Sequence, residues 1–118
     1  AALLARSATV LTIHGEDSEE PVVFLGGRDD AMLKRLRDSL QRYGFRAAAH
    51  TSVDLQGIDP SNVCNQGTSG AGVQLELSRG LRESFFSMLD ARKGRKTRTQ
   101  RFQDFITAVR EAVADSRP

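Results

Sequence analysis

Hydrophobic and polar positions alternate over residues 8–14, which is the pattern of a β-strand whose two faces meet different surroundings. Gly15 and an acidic loop over 16–20 follow, so this strand is predicted to end at His14. A nearly continuous apolar run over 21–25 comes next and is closed by two glycines. Such a run is typical of a strand buried on both faces, which predicts helices on either side of the sheet.

Two later segments have the periodicity of amphipathic helices. In the first, Asp29 or Asp30 is suited to the N-cap and Gly44 to the C-terminal stop. Its apolar stripe consists of Leu33, Leu36, Leu40 and Tyr43. In the second, at the end of the chain, the apolar stripe consists of Phe102, Phe105, Ile106, Val109 and Val113. Both stripes are predicted to pack on the same core.

A long loop and a second alternating segment lie between these helices. Residues 45–50 fit a short strand, and 51–72 are so rich in Gly, Pro, Asn and Ser that they predict a long ordered loop. Over 73–77, three apolar residues alternate with Gln74 and Glu76, so a strand would direct the polar pair away from the core. Two interpretations of Glu76 stay open: a general base facing a cleft, or part of a half-solvated edge strand.

The segment after this strand predicts one more helix. Ser78 can cap it, and its buried stripe would consist of Leu81, Phe85, Met88 and Leu89. The order strand, strand, helix, strand, loop, strand, helix, helix then describes an α/β fold with a mixed, largely parallel sheet and flanking helices. With 118 residues the chain has room for one such domain, over residues 1–118, and not for two.

Composition and charge narrow the class of protein. The chain is 39% hydrophobic and 27% charged, as in soluble globular proteins, and no apolar run is long enough to span a membrane. Residues 92–101 contain six basic residues and no acid, and we interpret 91–101 as a basic linker before the last helix. A nucleic acid is not the expected partner, because the tract lacks interleaved aromatic residues. The single cysteine, Cys64, excludes an intrachain disulfide.

Three motifs, over residues 12–15, 24–29 and 62–82, resemble those of a known family. Over residues 8–89 the chain resembles the poly-γ-glutamate hydrolases, zinc-dependent amidases of phages and bacteria with a carboxypeptidase-like, phosphorylase/hydrolase-like fold. The resemblance implies that His14 is a zinc ligand, that Glu76 is the catalytic carboxylate, and that the substrate is an anionic γ-glutamyl polymer or peptide. Gln66, where the family is expected to have arginine, departs from the pattern.

The same resemblance implies two further zinc ligands, a His and a Glu, upstream of anything that matches this chain. We therefore expect the chain to be the C-terminal part of a zinc amidase, incomplete at its N-terminus, with the missing N-terminal segment as a partner. Localisation stays open between a secreted and a phage-encoded protein.

Four polar residues are candidates for binding the substrate, and each has a structural alternative. Arg28, Arg79 and Arg82 can pair with carboxylates through bidentate guanidinium forks. Alternatively, Arg28 serves the turn before the first helix, and Arg79 and Arg82 lie on an exposed helix face. Asn65 either orients the substrate or holds the long loop by bonds from its side chain to the backbone.

Two competing functions remain. Cys64 could be a nucleophile with His14 or His50 as its base, although its neighbours offer no positive charge to lower the pKa of the thiol. The other alternative is a non-catalytic interaction module that binds an anionic partner through the basic tract. Zinc content distinguishes these functions from a zinc amidase.

Overall fold

The computed structural model describes residues 10–49, 58, 65–67, 69–90 and 95–114, and for 88–90 and 95–96 only the backbone. His50, Cys64 and most of the loop over 51–72 lie outside the described residues. The elements, in chain order, are β1 (Leu11–Glu16), β2 (Val23–Gly27), α1 (Asp30–Arg42), β3 (Ala47–Ala48), β4 (Val73–Ser78), α2 (Arg79–Ser84), β5 (Phe86–Asp90), β6 (Arg95–Arg98) and α3 (Gln100–Ala114).

Four of the strands form one mixed sheet in the order β1-β4-β2-β3. Strand β4 runs parallel to β1 and antiparallel to β2, and β3 runs parallel to β2. The predicted mixed, largely parallel sheet is therefore confirmed. The edge-strand interpretation of Glu76 is wrong, because β4 lies between two partners and all six of its residues are buried.

Helices α1 and α3 pack against each other, and their apolar faces join the alternating apolar residues of the sheet in one core. Leu36 and Leu40 of α1 are fully buried, as predicted, and the hydroxyl of Ser39 donates to the carbonyl of Ala108 at 2.7 Å. In α3 the buried residues are Phe105, Ala108 and Ala112, whereas Val113 of the predicted stripe is 37% exposed. The small alanines let the two helices approach closely, which rotates the buried face away from Val113.

The ends of α1 are those that the sequence predicts. Asp29 is the N-cap, and its carboxylate accepts the N–H of Met32 at 3.0 Å. Gly44 follows the helix with φ +82°, a conformation that favours glycine. Strand β1, in contrast, continues past the predicted end at His14, because Gly15 and Glu16 remain in register with β4.

The helix predicted after Ser78 is shorter than its periodicity indicates. It ends at Ser84, and Phe86–Asp90 forms β5, which pairs antiparallel with β6. Part of the segment expected to be a linker is thus a strand, Arg95–Arg98. Thr99, which follows β6, is held beside the end of α2, since its hydroxyl donates to the carbonyl of Ser84 at 2.7 Å. Among the helices described, none has both the length and the apolar character that crossing a membrane requires.

Candidate active site

His14 and Glu76 are register partners on the adjacent parallel strands β1 and β4. Residues at the same register of neighbouring strands project from the same face of a sheet, and the strands lie about 4.8 Å apart. The prediction that the two lie close together is confirmed, although both lie within their strands, two residues before the carboxyl ends, rather than at the rim. His14 is exposed, whereas Glu76 is only 7% exposed. An accessible imidazole therefore lies next to a carboxylate that is largely removed from water.

The polar face of this strand pair extends to both sides of His14 and Glu76. Thr12 pairs with Gln74 in the same register, and the amide nitrogen of Gln74 donates to Oε1 of Glu76 at 3.4 Å. Gln74 is almost fully buried, and so is the hydroxyl of Thr12, for which the described residues offer no hydrogen-bond partner. Polar groups are costly to bury in such numbers. Their clustering on one face indicates a site rather than a core.

One rim of the site is formed by helix α2 and the loop over 17–22, between β1 and β2. The hydroxyl of Ser78, which is fully buried, accepts the N–H groups of Leu81 and Val22, each at 3.0 Å. The N–H of Gly80 donates to the carbonyl of Ser18 at 3.1 Å. A Cβ at Gly80 would lie 1.9 Å from the carbonyl oxygen of Glu19, so glycine is required for this close approach. These contacts fix the first turn of α2 against the loop after β1 and the residue that precedes β2.

Arg79 and Arg82 are both on α2, but their guanidinium groups lie in different environments. Arg79 is half exposed and pairs with the carboxylates of Glu19, at 3.2 Å, and Glu83, at 3.8 Å. Arg82 instead donates from Nε to the carbonyl of Leu77 at 3.2 Å and from Nη2 to the carbonyl of Glu16 at 2.9 Å. The Nε–Nη2 edge of Arg82 is thus occupied by backbone. A substrate carboxylate would have to meet its Nη1 side.

Arg28 and Asn65 lie at the opposite end of β4. Gly72 and Arg28 both donate their N–H groups to Oδ1 of Asn65, at 3.0 and 3.3 Å. Nη1 of Arg28 donates to the carbonyl of Gly70 at 3.4 Å. These bonds favour the alternative in which Asn65 holds the loop. The rim that contains Arg79 and Arg82 is the length of β4 away, about 17 Å, so the four candidate substrate residues do not form one cluster.

The next feature is the set of side chains in the described part of the chain that could bind a metal ion. His14 has the chemistry of a zinc ligand, an accessible imidazole beside a carboxylate. The described residues contain no group of three His, Cys, Asp or Glu side chains that could hold a metal. A catalytic zinc ordinarily has three protein ligands. His14 therefore fits as one member of a set that these residues do not complete.

Two features of the site were not predicted from the sequence. One is the double acceptor role of Ser78, for which the sequence predicts only a helix cap. The other is the contact of Arg82 with two strand ends. A possible signal for the second was Gly80 in the first helical turn, since glycine within a helix often has a packing reason.

Comparison with known proteins gives these features a family. A model of the poly-gamma-glutamate hydrolase family matches residues 1–108. Two proteins of Bacillus subtilis (strain 168) are similar: the UPF0714 protein YmaC, 32% identical over 102 residues, and the UPF0714 protein YndL, 30% identical over 101 residues. These alignments cover 86% and 85% of this chain but only 43% and 40% of the relatives. The chain thus spans less than half the length of either relative.

Two solved structures have the same fold as this chain. A bacteriophage poly-gamma-glutamate hydrolase superposes with a TM-score of 0.87 at 29% identity, over 97% of this chain and 56% of its own. The zinc-free apo form of YndL superposes with a TM-score of 0.79 at 26% identity, over 93% of this chain and 55% of its own. The α/β fold expected from the sequence is therefore confirmed. Since the family model spans nearly the whole sequence, this chain belongs to the poly-γ-glutamate hydrolase family.

Proposed function

We propose that this chain takes part in the zinc-dependent hydrolysis of γ-glutamyl or related amide bonds, with His14 as one zinc ligand and Glu76 as the catalytic carboxylate. The observation that carries the proposal is the register pair of His14 and Glu76 on adjacent parallel strands. Open α/β sheets keep their sites at the carboxyl ends of such strands. Membership of the hydrolase family supports the reaction class.

The remaining zinc ligands are proposed to come from outside these 118 residues. A single imidazole cannot hold a catalytic zinc, and the described residues contain no group of three His, Cys, Asp or Glu side chains that could hold one. His14 lies on β1, at the edge of the described sheet, and its side chain is exposed. Further ligands can therefore approach its imidazole without displacing the core.

When bound, zinc would polarise the scissile carbonyl and lower the pKa of its bound water. The part of Glu76 is to take a proton from the attacking water at a carboxylate oxygen and to pass it to the leaving nitrogen. Gln74 donates to Oε1, which fixes the orientation of the carboxylate and leaves Oε2 for the proton. Burial of Glu76 keeps competing water away from this transfer.

An anionic γ-glutamyl polymer fits the charges around the site. Every residue of such a polymer has a free carboxylate, and Arg79 lies at the rim next to the strand ends, beside Arg82, whose Nε and Nη2 are already bonded to backbone carbonyls. Arg79 reaches that rim with its guanidinium exposed, and its present partners are surface carboxylates that a substrate could replace. Arg28, which is exposed at the other end of β4, would contact a more distant part of the polymer.

Substitution of Glu76 by Gln in the whole protein tests these roles. Glu76→Gln keeps the shape of the side chain and removes the base, so zinc occupancy should be retained while turnover of poly-γ-glutamate falls by about 10²-fold or more. His14→Ala should lose zinc and activity together. Glu111→Gln, an exposed carboxylate on α3, is the matched control and should change neither.

The same experiment can also reject the proposal. Near-normal turnover in Glu76→Gln, together with abolished turnover in Cys64→Ser, would identify Cys64 as the nucleophile and reject Glu76 as the base. If the wild-type protein binds an anionic polymer without cleaving it at any zinc concentration, the non-catalytic interaction module would be the better description.

A further inference from the structure

Arg82 joins the ends of the two strands that contain His14 and Glu76. Its Nε donates to the carbonyl of Leu77, one residue after Glu76, and its Nη2 donates to the carbonyl of Glu16, two residues after His14. The distances, 3.2 and 2.9 Å, lie within the range of N–H···O hydrogen bonds, and the donor is a charged guanidinium. One guanidinium thus bridges β4 and β1 at their carboxyl ends.

Gly15, the residue after His14, makes room for this bridge. A Cβ at Gly15 would lie 3.2 Å from Cζ of Arg82 and 3.3 Å from its Nη1. Gly15 does not have a positive φ, so the backbone conformation does not require glycine there. The guanidinium packs against the backbone of β1 at Gly15, in space that a side chain at this position would occupy.

The helix that presents Arg82 is itself anchored. Ser78 caps it and at the same time accepts the N–H of Val22, while Gly80 bonds to the loop after β1. Arg79 is on the same helix, but it pairs with exposed carboxylates and not with the strand backbone. The bridge is therefore specific to Arg82 and is not a general property of arginines on this helix.

We propose that Arg82 is a positioning residue, which holds the end of β1 in register with β4 so that the His14 imidazole and the Glu76 carboxylate face each other. This inference rests on the proposed function for its catalytic consequence. Among the described strands, β1 pairs with β4 alone, so its end depends on contacts of this kind. Lysine cannot replace the bridge fully, because an ammonium group lacks the planar fork that reaches two acceptors.

The test compares Arg82→Gln, Arg82→Lys and Gly15→Ala, with Arg42→Gln on α1 as the matched control. Two measurements are made on each: backbone amide hydrogen exchange over residues 13–16, and kcat and KM for poly-γ-glutamate. In Arg82→Gln, exchange at the end of β1 should accelerate at least about fivefold relative to the β2–β3 pairing, because charged hydrogen bonds contribute measurably to local stability. Its kcat should fall with KM nearly unchanged, and Arg82→Lys should recover part of both effects.

Gly15→Ala gives an independent readout that does not remove the guanidinium. Alanine in place of a strand glycine is ordinarily neutral or stabilising where its conformation is compatible. Here the guanidinium would have to shift by a few tenths of an ångström, which should weaken its bonds and accelerate exchange at the end of β1. In an Arg82→Gln background the same change should have little further effect, a non-additivity expected only if the two residues share one contact.

The outcomes separate this inference from the proposed function. If the wild-type protein has no hydrolase activity, the proposed function fails, and the exchange data still decide whether the bridge holds β1. If Arg82→Gln raises KM and leaves kcat and exchange unchanged, Arg82 is a substrate ligand and the positioning role is wrong. Unchanged exchange in both Arg82→Gln and Gly15→Ala would likewise overturn it.

Discussion

Replacing Ser78 by Ala removes one oxygen on which three elements depend. The hydroxyl accepts the N–H of Leu81, which caps α2, and the N–H of Val22, which leads into β2. Ser78 is itself the last residue of β4 and is fully buried. Neither N–H can turn to solvent when the oxygen is lost, since Val22 and Leu81 are buried as well.

The expected loss of stability follows from these two bonds. Loss of an N-cap serine costs about 1 kcal/mol. A buried N–H without an acceptor costs about 1–3 kcal/mol, which applies to Val22. Ser78→Ala should therefore lower the free energy of unfolding by about 2–4 kcal/mol, a large share of the roughly 5–15 kcal/mol typical of a domain.

Urea unfolding followed by circular dichroism measures this difference directly. The matched control is Ser69→Ala, whose hydroxyl also accepts a backbone N–H, that of Ala71, but in an exposed loop. It should change stability by less than about 0.5 kcal/mol, as is usual for surface substitutions. If Ser78→Ala costs less than about 1 kcal/mol, or no more than Ser69→Ala, the reasoning that Ser78 fixes the rim of the site is refuted.

Two further predictions concern a titration and a binding affinity. The bond from the Tyr43 hydroxyl to Glu111, at 2.6 Å, raises the pKa of Tyr43 above its ordinary 10.0, so its contribution to stability is fully present below pH 10 and is lost as the pH rises through the raised value. Tyr43 is the sole tyrosine of the sequence, so tyrosinate absorbance reports its titration without overlap. Glu111→Gln should return the pKa of Tyr43 toward 10. An unshifted titration of the wild-type protein would disprove the bond. The isolated 118-residue chain should bind zinc weakly, because its described residues contain no set of three side chains that could hold the ion. Calorimetric titration that gave nanomolar affinity for the monomer would contradict that expectation.

Much of the main sheet and of α1 is predictable from the sequence because their signals are local. Alternation over 73–77 specifies a strand with Gln74 and Glu76 on one face, and Asp29 and Gly44 mark the two ends of α1. The closeness of His14 and Glu76 could be predicted because both lie on polar-facing strand positions. The family resemblance supplied the roles that geometry alone does not assign.

The β5–β6 pair could not be predicted in the same way. Leu81 and Phe85 have helical spacing whether or not the helix continues, and only the pairing of β5 with a strand later in the chain stops it at Ser84. Strand pairing is a non-local property, so from the sequence alone the basic residues over 95–98 have the character of a linker. Tertiary context overrides helical periodicity here.

The contacts of Arg82 and Ser78 were hidden for a similar reason. One partner of each is distant along the chain: the Glu16 carbonyl that Arg82 reaches lies in β1, 66 residues away, and the Val22 N–H that Ser78 accepts lies just before β2, 56 residues away. Sequence patterns place a side chain on a face of its own element but do not specify which backbone groups of other elements come within reach of it. Hydrogen bonds of this kind require the assembled fold.

Anomalous diffraction at the zinc absorption edge, from crystals of the whole protein grown with zinc, tests the central claim most directly. The proposed function predicts a zinc ion bonded to a ring nitrogen of His14, within reach of the Glu76 carboxylate through one water molecule. It also predicts that the other protein ligands belong to residues outside these 118. Zinc bound elsewhere with His14 free, or no zinc in a protein that hydrolyses poly-γ-glutamate, would contradict the claim.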